Sequence, residues 1–117
     1  MQKITAPVSI PAPGSKVIEE YVGRASTGWE HLSIAHLIAP PGWTEPVQRP
    51  DFFEITIVVR GSLVVEHDAG HETVPAGQAI VTEKGERIRY GNPSEEFAEY
   101  WSICLPAFDA DAAHRSE

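Results

Sequence analysis

The sequence predicts a single all-β domain folded as a β-sandwich or barrel. Turn residues recur about every ten residues, the runs between them are rich in valine, isoleucine and leucine, and 10 prolines and 9 glycines leave few uninterrupted stretches for a helix. At 117 residues the chain has room for one modest core. We therefore predict one domain over residues 1–117, in which short strands follow one another as a meander.

The chain opens with a proline-rich arm. Residues 1–16 hold Pro7, Pro11, Pro13 and Gly14, and a proline removes a backbone donor and interrupts any helix. We expect an extended arm that lies along a sheet edge, either of its own sheet or of a neighbouring subunit.

Eight strands follow the arm, each bounded by turn residues. We predict them at residues 16–23, 30–39, 54–60, 63–67, 72–74, 79–82, 87–90 and 97–105. Pro40-Pro41-Gly42 ends the second strand, and Pro106 ends the last. We then expect Asp109 to cap a short helical turn that reaches Ala113.

The charge balance excludes two classes of partner. The chain has 9 Lys and Arg against 17 Asp and Glu, a net charge of −8 that repels nucleic acid and anionic membrane surfaces. Its single cysteine, Cys104, excludes an intrachain disulfide and a multi-cysteine zinc site.

No apolar run approaches the roughly 20 residues that span a bilayer, and the first 15 residues lack the apolar stretch of a signal peptide. We expect a soluble cytoplasmic protein.

Two stretches share a pattern of glycines and polar residues at fixed offsets. They are residues 42–61, GWTEPVQRPDFFEITIVVRG, and residues 77–92, GQAIVTEKGERIRYGN. Together they resemble the two-motif signature of the cupin superfamily, in which a jelly-roll barrel, or double-stranded β-helix, carries metal ligands at those offsets. The signature positions here are Gly42, Gln48, Pro50, Glu54 and Gly61, then Gly77, Glu83, Gly85, Ile88 and Asn92.

The resemblance narrows to one subgroup and implies a metal site that has lost its histidines. The stretches PGWTEP and YWSICLPAFDADAAHR resemble the small ethanolamine-utilisation cupins. In ordinary cupins three histidines and one glutamate hold a transition metal, but Gln48, Pro50 and Ile88 stand where the histidines would be and only Glu54 is kept. One carboxylate and one amide oxygen are a weak donor set for such a metal, so we expect no metal cofactor. The alternative is a divalent transition metal in a non-standard site that recruits His36.

Glu54 and Tyr90 are the candidate catalytic residues. Glu54 begins an apolar strand, and strand alternation places Thr56, Val58 and Arg60 on its face. A carboxyl in a cavity with apolar walls suits a general acid or base. By the same alternation Tyr90 shares the face of Ile88 and looks into the same cavity.

Five further residues are candidate ligand contacts. Gln48 occupies a lost histidine position, and Trp43 either covers the cavity mouth or packs between subunits. Arg49 and Arg89 can clamp a carboxylate or phosphate bidentately, and His36 either points inward or lies on an outer face.

The alternative role for Glu54 is a structural ion pair with one of three arginines. Arg49, Arg60 and Arg89 are the candidates. Cys104, next to Ile103 and Leu105, is interpreted as a buried small hydrophobic residue and not as a nucleophile, since no flanking positive charge lowers its pKa.

These residues favour a module that binds a small polar or carboxylate metabolite without turnover. The first alternative is a metal-independent isomerase, lyase or cyclase that uses Glu54 as base, with Gln48 and Tyr90 orienting the substrate. The second is a metalloenzyme with a non-standard site. A kinase activity on acetate has no support, because the chain lacks a phosphate-binding glycine loop. We expect a homodimer that pairs through sheet edges, the extended arm and the aromatic last strand.

Overall fold

The computed structural model describes residues 1–114, and within that range the protein is nearly all β. A single 3-10 turn, at Asp111–Ala113, is the helical element of this range, so no helix here is long enough to cross a membrane. The strands are β1 (Val8–Ser9), β2 (Val17–Val22), β3 (Ser33–Ala39), β4 (Phe53–Arg60), β5 (Ser62–His67), β6 (Gly70–Pro75), β7 (Ala79–Thr82), β8 (Arg89–Gly91) and β9 (Ala98–Leu105). The predicted fold class is confirmed.

The strands form two antiparallel sheets that face each other as a jelly roll. The large sheet has the order β1-β2-β3-β9-β4-β7, and the small sheet has the order β6-β5-β8. Two isolated bridges, Thr44 to Gly91 and Gln48 to Ile88, attach the loop of residues 40–52 to β8. This loop therefore continues the small sheet across the top of the barrel.

The proline-rich arm lies at a sheet edge, as predicted. Val8 and Ser9 pair with Glu20 and Glu19 of the chain's own β2, at the outer edge of the large sheet. β3 begins three residues later than predicted because a tight turn after β2 occupies the chain there. The buried Glu20 carboxylate holds that turn by accepting hydrogen bonds from the backbone amides of Ala25 and Ser26, at 3.0 and 2.8 Å.

Strand alternation holds along β4 until a bulge interrupts it. Thr56 and Val58 are buried on the same inner face as Glu54, as predicted. Arg60 is a correction: the register shifts between Val58 and Arg60, so Arg60 pairs with Glu99 on the outer face. An extra residue at a β-bulge reverses the side to which the following side chain points.

The core has two parts, one toward each end of the barrel. The smaller part packs Phe52 and Cys104 against Phe108 and Ala113 of the C-terminal segment. Backbone bonds tie this segment down, since the amides of Arg49 and Asp51 donate to its carbonyls. The predicted turn is present, but its N-cap is Ala110 and not Asp109, which lies one residue earlier and accepts from the Asp111 amide at 3.1 Å. The larger part consists of Leu37, Ala39, Val58, Leu63, Val65, Val74, Ile88, Tyr90, Ala98 and Tyr100.

Asn92, the last residue of the second motif, fixes the loop of residues 40–52 to the barrel. Its side chain is fully buried, and the two hydrogens of its amide nitrogen are shared among the carbonyls of Ala39, Pro40 and Glu96, at 3.3, 3.2 and 2.7 Å. Its side-chain oxygen accepts from the amide and hydroxyl of Ser94. The motif asparagine is therefore structural, and it positions the loop that carries the cavity residues.

Candidate functional site

A cavity of about 60 Å³ lies between the two sheets, and its walls draw on both parts of the core. The volume is small beside the ~300–1,000 Å³ of pockets that hold drug-sized molecules. Its polar lining is formed by Lys16, Glu20, Ser33, Glu45, Gln48, Glu54, Tyr90, Tyr100 and Ser102, and its apolar lining by Ile10, Ile18, Ala35, Leu37, Phe52, Cys104 and Phe108. The arrangement suits a small ligand held by a few polar groups.

Glu54 lies in the cavity wall as predicted, and β9 supplies its partner. β4 and β9 are paired so that Thr56 faces Ser102 and Glu54 faces Cys104. The Ser102 hydroxyl donates a hydrogen bond to the Glu54 carboxylate, and the Cys104 sulfur lies 3.9 Å from the same oxygen. Ser102 therefore orients the carboxyl from the neighbouring strand.

Tyr90 lines the same cavity, also as predicted. Its hydroxyl lies 3.2 Å from that of Thr82. Burial raises the pKa of the Tyr90 phenol well above its usual range, and the nearby Glu54 carboxylate adds to the effect, while the hydrogen bond to Thr82 opposes it. The phenol therefore stays protonated at neutral pH and can donate a hydrogen bond to a ligand.

Gln48 and Glu45 reach the cavity from the loop of residues 40–52. Gln48 exchanges two backbone hydrogen bonds of 2.9 Å with Ile88, and the Glu45 amide donates to the Tyr90 carbonyl at 3.2 Å. Both side chains are buried in the cavity wall. The prediction for Gln48 thus agrees with the structure, whereas Glu45 was missed because loop residues do not alternate as strand residues do.

His36 does not share the cavity. It lies in β3 on the outer face of the large sheet, where its ring nitrogens approach Glu99 at 2.7 Å and Glu19 at 3.3 Å. Its ring centroid is 4.9 Å from that of Trp101, which lies on the same face. The inward-pointing alternative for His36 was wrong, since the inner face of β3 belongs to its odd-numbered residues, among them Leu37.

The three arginines also lie elsewhere. Arg49 donates to the Gly85 carbonyl at 3.3 Å near the surface, and Arg89 forms an exposed ion pair with Glu66 at 2.6 Å. Neither is among the residues that line the cavity between the sheets. The structural ion pair proposed for Glu54 is likewise not formed with Arg49, Arg60 or Arg89, each of which bonds to another group.

Trp43 stands beside the cavity and not across it. The Lys16 ammonium lies 3.8 Å from the centroid of the Trp43 ring and 5.6 Å from that of Tyr100. Lys16 itself lines the cavity, so Trp43 holds a cation at the cavity margin through a cation–π contact. Lys16 was missed because it is the last residue of the N-terminal arm and lies far in sequence from the two motifs.

Cys104 is buried, as predicted. Burial raises the pKa of its thiol, and the adjacent Glu54 carboxylate raises it further. The thiol therefore stays protonated and unreactive. Ser102 was missed although a signal existed, because strand alternation places it on the face of Tyr100 and Cys104.

The residues at the lost histidine positions do not fit a transition metal. Pro50 and Ile88 have no donor atom in their side chains, and both are almost completely buried. Within residues 1–114, no group of three or more His, Cys, Asp and Glu side chains is arranged to hold a metal ion. With His36 on the opposite face, the cavity offers only the Glu54 carboxylate and the Gln48 amide at the motif positions.

A family model described as the AraC-like ligand binding domain matches residues 31–117, most of the chain. Among curated proteins, a Myxococcus xanthus (strain DK1622) protein named Endoribonuclease YbeY is 42% identical over 105 residues. The match takes in 90% of this chain but 36% of that protein, so the chain spans about a third of its relative. The name describes the longer protein.

Solved structures that resemble the chain are known from several bacteria. Ethanolamine utilization protein Q from Salmonella typhimurium LT2 has a TM-score of 0.69 at 20% identity, over 82% of this chain and 73% of that one. A variant of oxalate decarboxylase from Bacillus subtilis has a TM-score of 0.78 at 17% identity, over 96% and 31%. A sugar phosphate isomerase of the cupin superfamily from Silicibacter pomeroyi has a TM-score of 0.66 at 15% identity, over 87% and 71%. At these identities the likeness is one of fold.

Proposed function

Because the chain belongs to the AraC-like ligand-binding domain family of cupins, we propose that it binds a small polar metabolite between its two sheets. The observation that carries the proposal is the convergence of Glu54, Gln48 and Tyr90 on one largely apolar cavity. Apolar walls exclude water, and a few polar groups then fix the orientation of a ligand. We propose that no metal takes part.

Each polar group has a distinct part in binding. The Glu54 carboxylate, oriented by Ser102, accepts hydrogen bonds from a ligand hydroxyl or amine. The Tyr90 phenol, which burial keeps protonated, donates to a ligand oxygen. Gln48 supplies an amide that can both donate and accept. A molecule with neighbouring donor and acceptor groups, such as a polyol, sugar or amino alcohol, matches this set.

The charges around the cavity favour a neutral or cationic ligand over a carboxylate. Glu45 and Glu54 line it, and in the described part of the chain Lys16 is the one lysine or arginine that does. A ligand carboxylate about 5 Å from Glu54 would be repelled by ~3 kcal/mol at an effective dielectric constant of ~20. The carboxylate metabolite expected from the sequence relied on Arg49 and Arg89, which lie outside the cavity.

A screen of ligands that differ in charge tests this proposal. Small polyols and sugars, primary amines and carboxylates of similar size are compared by thermal shift and then by isothermal titration calorimetry. At about 100 times its Kd a ligand stabilises the folded protein by ~2.7 kcal/mol, a shift in Tm of roughly 10 °C. We expect such shifts from neutral or cationic compounds and none from the carboxylates.

A matched pair of variants locates the binding. Glu54→Gln removes one negative charge from the cavity, and Glu66→Gln makes the same change on the outer face of the small sheet. We expect Glu54→Gln to lose binding while its stability changes by less than about 2 kcal/mol, and Glu66→Gln to bind as the unmodified protein does. Equal binding by both variants, or a preference for carboxylates, would show the proposal to be wrong.

Proton transfer is a second candidate because Glu54 and Tyr90 share the cavity. Glu54 could remove a proton next to a carbonyl whose oxygen accepts a hydrogen bond from Tyr90. The test is to incubate a ligand from the screen with the protein in deuterium oxide, to return it to ordinary water so that only carbon-bound deuterium is kept, and then to measure its mass by mass spectrometry. Deuterium uptake that Glu54→Gln abolishes supports catalysis, whereas an unchanged mass supports a binding module.

A further inference from the structure

A second cavity adjoins the one between the sheets. Its volume is about 400 Å³, and three segments that are distant in sequence form its walls. They are residues 10–16 of the arm, residues 40–46 of the loop, and Phe108 with Ala110 of the C-terminal segment. This outer cavity falls within the ~300–1,000 Å³ of small-molecule pockets, a size that the inner cavity of about 60 Å³ does not reach.

The outer and inner cavities share part of their walls. The side chains that line both are those of Ile10, Lys16, Ile18, Glu45 and Phe108. Side chains that line two cavities lie where the two meet, so these five residues form the junction between them.

Backbone amides hold each wall of the outer cavity in place. The Ile10 amide donates to a carbonyl of β2 at 3.0 Å, and the Gly42 amide donates to the Asn92 carbonyl at 2.8 Å. The Phe108 amide donates to the Ser33 hydroxyl at 2.8 Å. The cavity is therefore preformed, and a ligand does not bear the cost of ordering its walls.

The two cavities differ in chemical character. Glu54, Gln48 and Tyr90 give the inner cavity its hydrogen-bonding groups. Among the side chains of residues 1–114 that line the outer cavity, Lys16 and Glu45 carry the charges, and both belong to the junction. Beyond the junction the walls are rich in apolar rings, which are those of Pro11, Pro13, Pro40, Pro41, Pro46 and Trp43. Such rings offer their surface to a hydrocarbon group.

We infer that the ligand is amphipathic, with a small neutral or cationic head in the inner cavity and an apolar tail, a ring or a branched alkyl group, in the outer one. The inference rests on the proposed function, because it takes the inner cavity as the site of the head. A volume of about 60 Å³ holds roughly four to six groups of the size of water. That is enough for a diol or an amino alcohol and too little for a ring as well. The rest of a larger ligand must pass the junction and lie against the prolines and Trp43.

Head and tail contribute differently to binding. Hydrogen bonds to the head replace hydrogen bonds to water, so they fix its orientation and select its charge more than they raise affinity. The removal of a phenyl ring from water lowers the Kd by about 50-fold. The outer cavity therefore sets the affinity, and the inner cavity sets the selectivity.

Two pairs of compounds, each pair sharing a head, test the inference. Alaninol is compared with phenylalaninol, and glycerol with its phenyl ether, by isothermal titration calorimetry, with displacement titrations for the weaker member of each pair. We expect each phenyl compound to bind about 50-fold more tightly than its partner. If alaninol and glycerol bind and the phenyl compounds bind no more tightly, the inference is overturned while the proposed function stands. If none of the four binds, the inference is overturned as well, and the screen of ligands by charge then decides the proposed function alone.

A matched pair of tryptophan substitutions locates the tail. Ser15→Trp fills the outer cavity, which Ser15 lines, and Ser9→Trp makes the same change on the exposed β1, which lines neither cavity. We expect Ser15→Trp to reduce the advantage of each phenyl compound from about 50-fold to less than about 3-fold, with the binding of alaninol and glycerol unchanged. Ser9→Trp should bind all four compounds as the unmodified protein does. Pro41→Trp fills the cavity from the loop should Ser15→Trp lose its far-ultraviolet circular dichroism. A phenyl advantage that survives in the filled variants would overturn the inference.

Glu54→Gln separates the head from the tail. It should weaken both members of each pair by the same factor, because Glu54 lines the inner cavity and not the outer one. A phenyl compound whose Kd is unchanged in Glu54→Gln would bind without its head in the inner cavity, and that result would also count against an amphipathic ligand that spans both.

Discussion

Replacement of Asn92 by alanine should destabilise the protein by about 3 kcal/mol. The variant loses the two N–H donors that the Asn92 side chain shares among the carbonyls of Ala39, Pro40 and Glu96. A buried carbonyl left without a donor costs ~1–3 kcal/mol. The bond to Ala39 is buried, while those to Pro40 and Glu96 are partly buried and can regain water. The buried Ala39 carbonyl therefore contributes about 2 kcal/mol and the two partly buried carbonyls about 0.5 kcal/mol each, which gives about 3 kcal/mol.

Urea denaturation followed by circular dichroism measures this loss. We expect a lower midpoint with an unchanged m value, and a fall in Tm of roughly 10–20 °C. The control is Ser94→Ala, which keeps the backbone amide donor to the Asn92 oxygen but removes the hydroxyl donor, together with the bonds of that hydroxyl to the Glu96 backbone, and should cost about 1 kcal/mol. If Asn92→Ala cost no more than Ser94→Ala, the three carbonyl bonds would not hold the loop of residues 40–52, and the account of Asn92 would fail.

Two further changes test the backbone and the buried thiol. Gly61→Ala should cost more than about 2 kcal/mol, because Gly61 has a φ of +70° and a Cβ there would lie 2.5 Å from the Phe97 carbonyl oxygen. Gly77→Ala is the control, with a φ of +87° and open space around the new Cβ, and should cost about 1 kcal/mol in a urea melt; equal costs would disprove the close contact. The raised pKa of Cys104 means that its contribution to stability is complete below its unfolded pKa of ~8.5 and is lost as pH rises toward the folded value. Urea melts of the unmodified protein should therefore lose about 2 kcal/mol between pH 7 and pH 10, and those of Cys104→Ala less than half as much; parallel losses would contradict this.

Strand alternation correctly predicted that Glu54 and Tyr90 face the cavity, because each lies in a regular part of its strand. Glu54 and Tyr90 were placed in one cavity by counting along β4 and β8, and the structure brings them together there. The same count fails at Arg60, because the bulge that precedes it depends on the register with β9. The same alternation could have placed Arg89 outside the cavity, because adjacent residues of a strand point to opposite faces and Tyr90 points inward.

The remaining site residues depend on contacts between distant parts of the chain. Lys16 enters the cavity because the arm lies along β2, and Ser102 faces Glu54 because β9 sits between β3 and β4. The direction of the His36 side chain could not be predicted, because a loop separates β3 from the first motif and the alternation of side chains does not continue through irregular backbone. The motif spacing thus predicted the fold, whereas the chemistry of the cavity required the order of strands in the sheet.

The neighbouring strands β4 and β9 of the large sheet contribute alternate residues to the cavity and to the outer face. Because side chains alternate with a period of two, deletion of one residue early in β4 would move Ile55 into the cavity and Glu54 toward solvent, whereas deletion of two would preserve both surfaces. Substitutions can therefore change the cavity and the outer face separately, at alternating positions of the same strand. Insertions and deletions of odd length exchange the two sets, so we expect changes of length within these strands to come in even numbers.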